Sequence, residues 1–295
     1  MNACLEYAPV SSLSFPALST LNEHYAMGYF AMYCDRLKEI SFPALVSLSG
    51  QSALMRFAYA CTSLTAAHFP KLKHMGNPDT ITMSIFASMF EGCTALSSLD
   101  FPEVEIINGK TMLQTFAQGC SALTSVTFPK LRILQGQQVA VNAFAKCSSL
   151  GSISFPMLSA IRDSNACGNM FLSCLSLSSV GFPELVELSV ANNVGVFAGA
   201  FQGCPALTSL SFPKLERIKG ANSTAVRGTF RNAAYIKEYY FPSLSVIEDA
   251  AAFSSNNALT AIHFGATNQA AIEASTGYAT LWGRGAGNAT VYFDL

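Results

Sequence analysis

The chain has 295 residues, 51% of them hydrophobic and 12% charged, with a formal net charge of −1. Charge this sparse and balanced excludes a disordered polyelectrolyte and gives no surface for nucleic acid. Polar residues interrupt every apolar run well short of the ~18 residues of a membrane span, and residues 1–20 have neither the basic start nor the apolar stretch of a signal peptide.

Self-similarity organises the rest. Phe-Pro recurs at Phe15, Phe42, Phe69, Phe101, Phe128, Phe155, Phe182, Phe212 and Phe241, most often 27 residues apart, and Phe264 continues the series without its proline. Apolar columns accompany each anchor, five and two residues before the Phe and three after it, as in Leu150, Ile153 and Leu158 around Phe155. Eight residues before the Phe stands Cys34, Cys61, Cys93, Cys120, Cys147, Cys174 or Cys204, with Tyr7, Ala233 and Asn256 filling that column in the outer repeats. An aromatic column, Phe30 to Phe253, lies three or four residues earlier still.

Each run that ends on Phe alternates like a short half-buried strand, and the proline, lacking an N–H, stops it at the same place every time. One repeat of ~27 residues cannot bury its own apolar side, whereas stacked repeats share a continuous core. The expectation is a leucine-rich-repeat solenoid over residues 1–264. It has about ten rungs whose strands form one parallel sheet face about 45 Å long, joined by irregular or short helical connections.

The unit F-x-x-C-x-x-L-x-x-V-x-F-P-x-L-x-x-I, as in Phe144–Ile161, resembles the BspA-like leucine-rich repeats of bacterial surface proteins, over roughly residues 7–264. Longer connecting segments and Phe-Pro where Ile-Pro is common are its departures from that family. The resemblance implies a secreted or surface-exposed adhesion or recognition protein and supplies no catalytic residue.

Seven of the nine cysteines fall in one column at least 27 residues apart, so no C-x-x-C pair exists, and they read as buried free thiols; Cys4 and Cys167 lie outside that column. His24, His68, His74 and His263 show no metal-ligand spacing, and neither a phosphate-loop nor a nucleophile-elbow motif occurs. No catalytic, cofactor or metal site is expected, and no enzyme activity. The glycine-rich stretch Gly283–Gly287 follows no strand-to-helix signal, and the glycosylation-type triplets at Asn222 and Asn288 read as chance matches.

Recognition has two candidate surfaces. The outward strand positions, three and one before each Phe, are mostly Ser and Thr, punctuated by Glu39, His68, Asp100, Glu238, Tyr240 and His263; Tyr240 is the foremost single candidate, because aromatics on a polar surface anchor interfaces. The alternative is the connecting segments of variable length, among them 22–28, 76–88 with the turn Asn77-Pro78-Asp79, 135–142 and 189–200.

Residues 265–295 leave the repeat and read as a C-terminal cap, a short helix ended by Gly277 and then a closing strand, with Tyr278 and Trp282 placed to seal the last rung. The first rung begins almost bare, which suggests an upstream domain or a partner subunit there. Two functions remain open: an adhesion module binding a host or bacterial surface protein or glycan, or a receptor-recognition component of a phage particle.

Overall fold

The computed structural model describes residues 5–76, 83–189, 194–219, 228–249, 251–278 and 289–295. The segment 77–79, Trp282, the stretch Gly283–Gly287, Asn222, Asn288 and Cys4 lie outside them.

The chain winds into a three-sided parallel solenoid. On the first side, the residues leading to each Phe form strands β1 (Ser12–Ser14), β3 (Glu39–Ser41), β5 (Ala66–His68), β7 (Ser98–Asp100), β9 (Ser125–Thr127), β11 (Ser152–Ser154) and β13 (Ser179–Gly181), paired in that order. The side continues as a second paired group, β15 (Ser209–Ser211), β17 (Glu238–Phe241), β19 (Ala261–Phe264) and β20 (Thr290–Phe293). The ladder is interrupted between β13 and β15, where the repeat is three residues longer. The middle residue of each strand points inward, so Ile40, Leu99 and Ile153 are buried and their neighbours face out. The Phe side chains stack from Phe15 onward along the whole molecule, for example Phe101 on Phe128 at 4.9 Å and Phe155 on Phe182 at 5.4 Å, nearly parallel. Phe182 and Phe212 stay stacked at 5.6 Å across the ladder interruption, so the core is continuous where the sheet is not.

The second side is a further parallel sheet that the sequence reading had not separated from the connections. Its strands are β2 (Thr20–Leu21), β4 (Ser47–Leu48), β6 (His74–Met75), β8 (Ile106–Asn108), β10 (Ile133–Gln135), β12 (Ala160–Arg162), β14 (Glu187–Ser189), β16 (Arg217–Lys219) and β18 (Val246–Ile247), all in one ladder. Each contributes one apolar residue inward, Leu134, Ile161 or Leu188 for instance. With two or three residues per strand, the period-2 signal is too short to stand out from a loop.

The third side is a ribbon of consecutive turns. Ala53, Met55 and Phe57 donate their N–H groups three residues back, to the carbonyls of Gly50, Ser52 and Leu54, while Leu54, Arg56 and Ala58 donate to Ile85, Ala87 and Met89 of the next rung. Alternate N–H groups thus close turns within a rung and ladders between rungs. Every fourth residue is left-handed, as at Ser52, Arg56 and Ala60 or Thr111, Thr115 and Gly119, the geometry of a type II turn at its third residue. Among the described residues the connections, expected as irregular or short helical, are regular, and segments 22–28 and 135–142 belong to this ribbon instead of standing off it as loops. Within 265–295 the helix is a single turn, α1 (Gln269–Glu273), with Ile272 buried; β20 then pairs with β19 in register and puts Phe293 on Phe264 at 5.6 Å, one more ring in the Phe column.

Candidate functional site

The six outward candidates fall into two groups that the fold keeps apart. Near the N-terminal end, strand register sets His68 between Ser41 and Asp100, and its Nε2 lies 3.7 Å from the Glu39 carboxylate. Asp100 accepts a hydrogen bond from Thr127 in the next rung. Both partners of the Glu39–His68 pair are more than half exposed, so this is a solvated surface contact contributing little.

The second group is more ordered. Register places Tyr240 beside His263 and His263 beside Tyr292. Their rings stack in one column, Tyr240 to His263 at 4.7 Å and His263 to Tyr292 at 4.9 Å, within 12° of parallel. Carboxylates hold two of the three rings. The Tyr240 hydroxyl donates to Glu238, and His263 Nδ1 lies 3.0 Å from Asp294. The Glu238 hydrogen bond, with burial and the charges of Glu238 and Asp294, raises the Tyr240 hydroxyl above the ordinary phenol range, so it stays protonated at neutral pH. Tyr239, its neighbour, is not part of the surface: it occupies an inward position and is fully buried.

Roughly five strand steps, or about 24 Å, separate Asp100 from Tyr240. The face between them carries Thr127, Ser154, Gly181 and Ser211. At the ladder interruption, Ser179, Gly181, Ser209 and Ser211 line a shallow depression of about 320 Å³. On its other side Gly181 lies against the preceding strand, where a Cβ would come within 2.8 Å of the Ser154 hydroxyl. Ser211 is the register neighbour of Tyr240, so the depression ends one strand from the aromatic column.

Tyr292 and Asp294 are the members that sequence reasoning missed. Their signal was present: Tyr292-Phe293 repeats the outward-aromatic-then-Phe order of Tyr240-Phe241 and His263-Phe264. The 29-residue step from Phe264 to Phe293, with no Phe-Pro to mark it, broke the count.

The cysteine column is structural. All eight described cysteines are buried and unpaired with one another by disulfide. Each column thiol donates to a backbone carbonyl in the rung before it, Cys120 to Phe90 at 3.1 Å and Cys147 to Ala117 at 3.2 Å, the acceptor carbonyl being one that already closes a turn. Burial pushes these thiols up, Cys61 to about 12 and Cys204 to about 11, so they are neutral at physiological pH. In the first rung Ala8, not Tyr7, fills this position; Tyr7 sits one place earlier, in the column of Tyr33. In the last, the Asn256 side chain accepts from the Ala233 N–H at 2.7 Å.

Two strand-bearing sides, a turn ribbon and an uninterrupted Phe core define a leucine-rich-repeat solenoid. The family model for the BspA type leucine rich repeat region matches residues 71–190 and 168–276 in six copies, and the chain belongs to that family of repeat scaffolds. No curated protein matches it. Among solved structures it is similar to a leucine-rich repeat protein from Bacteroides ovatus, at 18% identity over 86% of this chain and 63% of that one, with a TM-score of 0.46. It thus spans less than two thirds of that protein's length. A leucine rich cell surface protein from Faecalibacterium prausnitzii shares 17% identity over 90% of this chain and 91% of that one, with a TM-score of 0.25. An internalin from Listeria monocytogenes shares 12% over 89% and 82%, with a TM-score of 0.29.

Proposed function

We propose that the chain is a non-enzymatic recognition module that binds a surface protein or glycan through the outward side of its first sheet, with the aromatic column as anchor. The observation that supports this is the Tyr240–His263–Tyr292 stack, with Glu238 holding Tyr240 and Asp294 holding His263. Three stacked, near-parallel rings beside a stretch of small hydroxyl residues give a rigid amphipathic edge, and their alignment is enforced by strand register, so little ordering entropy remains to be lost on binding. The hydroxyl floor running from Ser211 toward Thr127 offers hydrogen-bonding groups without a charge that would have to be desolvated. The family membership and the surface proteins it resembles favour a place outside the cell or at its surface. No helix among the described residues is long and apolar enough to cross a membrane.

Labelled protein applied to matrix proteins, mucin glycans and whole bacterial cells tests the reading. Selective retention on one of these, weakened about tenfold or more by Tyr240→Ala, is expected, since a central aromatic anchor is worth ~2 kcal/mol or more. Retention that ignores both Tyr240→Ala and Tyr292→Ala would remove the aromatic column from the interface.

A further inference from the structure

A second aromatic surface lies on a different side of the solenoid. Half of the ten tyrosines fall within the first 59 residues, and all five belong to the turn ribbon of the first rungs. Tyr7 and Tyr33 stack at 5.0 Å and 7°, Tyr59 meets Tyr33 edge-on at 5.5 Å, and the Arg56 guanidinium lies 5.2 Å over the Tyr59 ring. Tyr25 and Tyr29 occupy the same ribbon four residues apart.

The backbone makes this placement informative. Tyr7, Tyr25, Tyr29 and Tyr33 all have φ between 54° and 62°. Equivalent positions in later rungs hold no aromatic: Gly92, Gly119, Lys146 and Gly203 stand in the Tyr33 column, and Arg56, Thr115, Asn142 and Asn169 in the Tyr29 column. The left-handed geometry admits many side chains along the ribbon, yet among the described residues only its first rungs place tyrosines in it. The same residues are firmly held, since the N–H groups of Tyr7, Tyr25, Tyr29 and Tyr33 all donate to the next rung at 2.8–3.1 Å. The result is a pre-ordered set of rings, with Tyr7 68% and Tyr25 46% exposed.

We infer that this tyrosine ribbon is a second binding site, for a neutral carbohydrate chain, independent of the sheet face. The chemistry of the patch selects that class. Phenol rings present an apolar face for the C–H side of a sugar ring, and none of the five hydroxyls is engaged in a hydrogen bond among the described residues, which leaves them for sugar hydroxyls. Charges of both signs adjoin the tyrosines in sequence, Glu6, Asp35 and Arg36 among them, so no single-sign field favours a polyanion. Between residues 5 and 76 the only exposed large hydrophobics besides these tyrosines is Val46, so the patch lacks the broad aliphatic core of a protein interface.

Affinity electrophoresis of the full chain through gels containing a soluble mannan, β-glucan or galactan, with hyaluronan as the charged control, tests the assignment. At least one neutral polysaccharide should retard the protein. The double variant Tyr25→Asn/Tyr33→Asn, which installs residues the ribbon tolerates elsewhere, should weaken that retardation about tenfold, the loss expected for stacking contacts of this kind. Its melting temperature should be unchanged or higher, Tyr7→Ala should weaken retardation as well, and Tyr240→Ala should not. Retardation by none of the neutral polymers, equal retardation of wild type and double variant, or capture of a protein partner through this patch would each overturn the proposal.

Discussion

A thiol in the cysteine column does two jobs: it fills a small apolar site between rungs, and it donates to a turn carbonyl whose second lone pair would otherwise go unused. Because burial raises its pKa, the folded chain should resist thiol reagents. Titration with a chromogenic disulfide at pH 8 should find at most one reactive thiol in the native protein, at Cys4, and all nine after unfolding. Linkage gives a pH dependence of definite sign. Above the ordinary thiol value of 9.0 the unfolded chain loses protons that the folded chain keeps, so stability falls as pH rises, up to about 11 for Cys204 and about 12 for Cys61, and is unaffected by these groups below 9. Thermal melts from pH 8 to 11 check this, and Cys204→Ala should flatten the decline; a melting temperature that rose with pH would contradict it.

Each element is short, so its stability comes from the columns it completes. Phe155 is sandwiched between Phe128 at 6.2 Å and Phe182 at 5.4 Å, and Phe155→Ala should lower unfolding free energy by about 3–5 kcal/mol, against less than about 0.5 kcal/mol for its outward neighbour Ser154→Ala. The corner between the second sheet and the turn ribbon has a different requirement. Gly136 has φ 126°, and a Cβ there would come within 2.3 Å of the Gly109 carbonyl oxygen. Gly136→Ala should therefore destabilise by about 1–3 kcal/mol despite adding apolar volume, which urea titration of the three variants would show. The first sheet was legible in the sequence because a Phe-Pro stop marks each strand. The second was not, since strands as brief as Thr20–Leu21 or Ser47–Leu48 leave no periodic trace. The turn ribbon was hidden for another reason: its left-handed positions accept Ser, Thr, Arg and Tyr as well as Gly, because inter-rung hydrogen bonds hold the backbone where local preference would not.

At the scale of the molecule, each rung touches its neighbours only, so the ends decide whether the stack stays monomeric. Removing residues 266–295 strips β20 from β19 and uncovers Phe264 and the edge of the ladder. The truncated chain should self-associate at micromolar concentration in size-exclusion chromatography, while a monomer with an unchanged melting temperature would show that this segment shields nothing. The sequence by itself determined the solenoid, the inward Phe and Leu columns and the buried thiols, because all of these repeat at a fixed spacing that hydrophobic burial imposes on every rung. Only the tertiary structure decided which outward residues meet. Parallel register set Tyr240, His263 and Tyr292 in one stack and left Asp100 about 24 Å away, with His68 and Glu39 one and two strands farther, and rung stacking brought Tyr7 onto Tyr33. Such contacts join side chains a whole repeat apart, and their geometry follows from inter-rung hydrogen bonds that no local stretch of sequence contains.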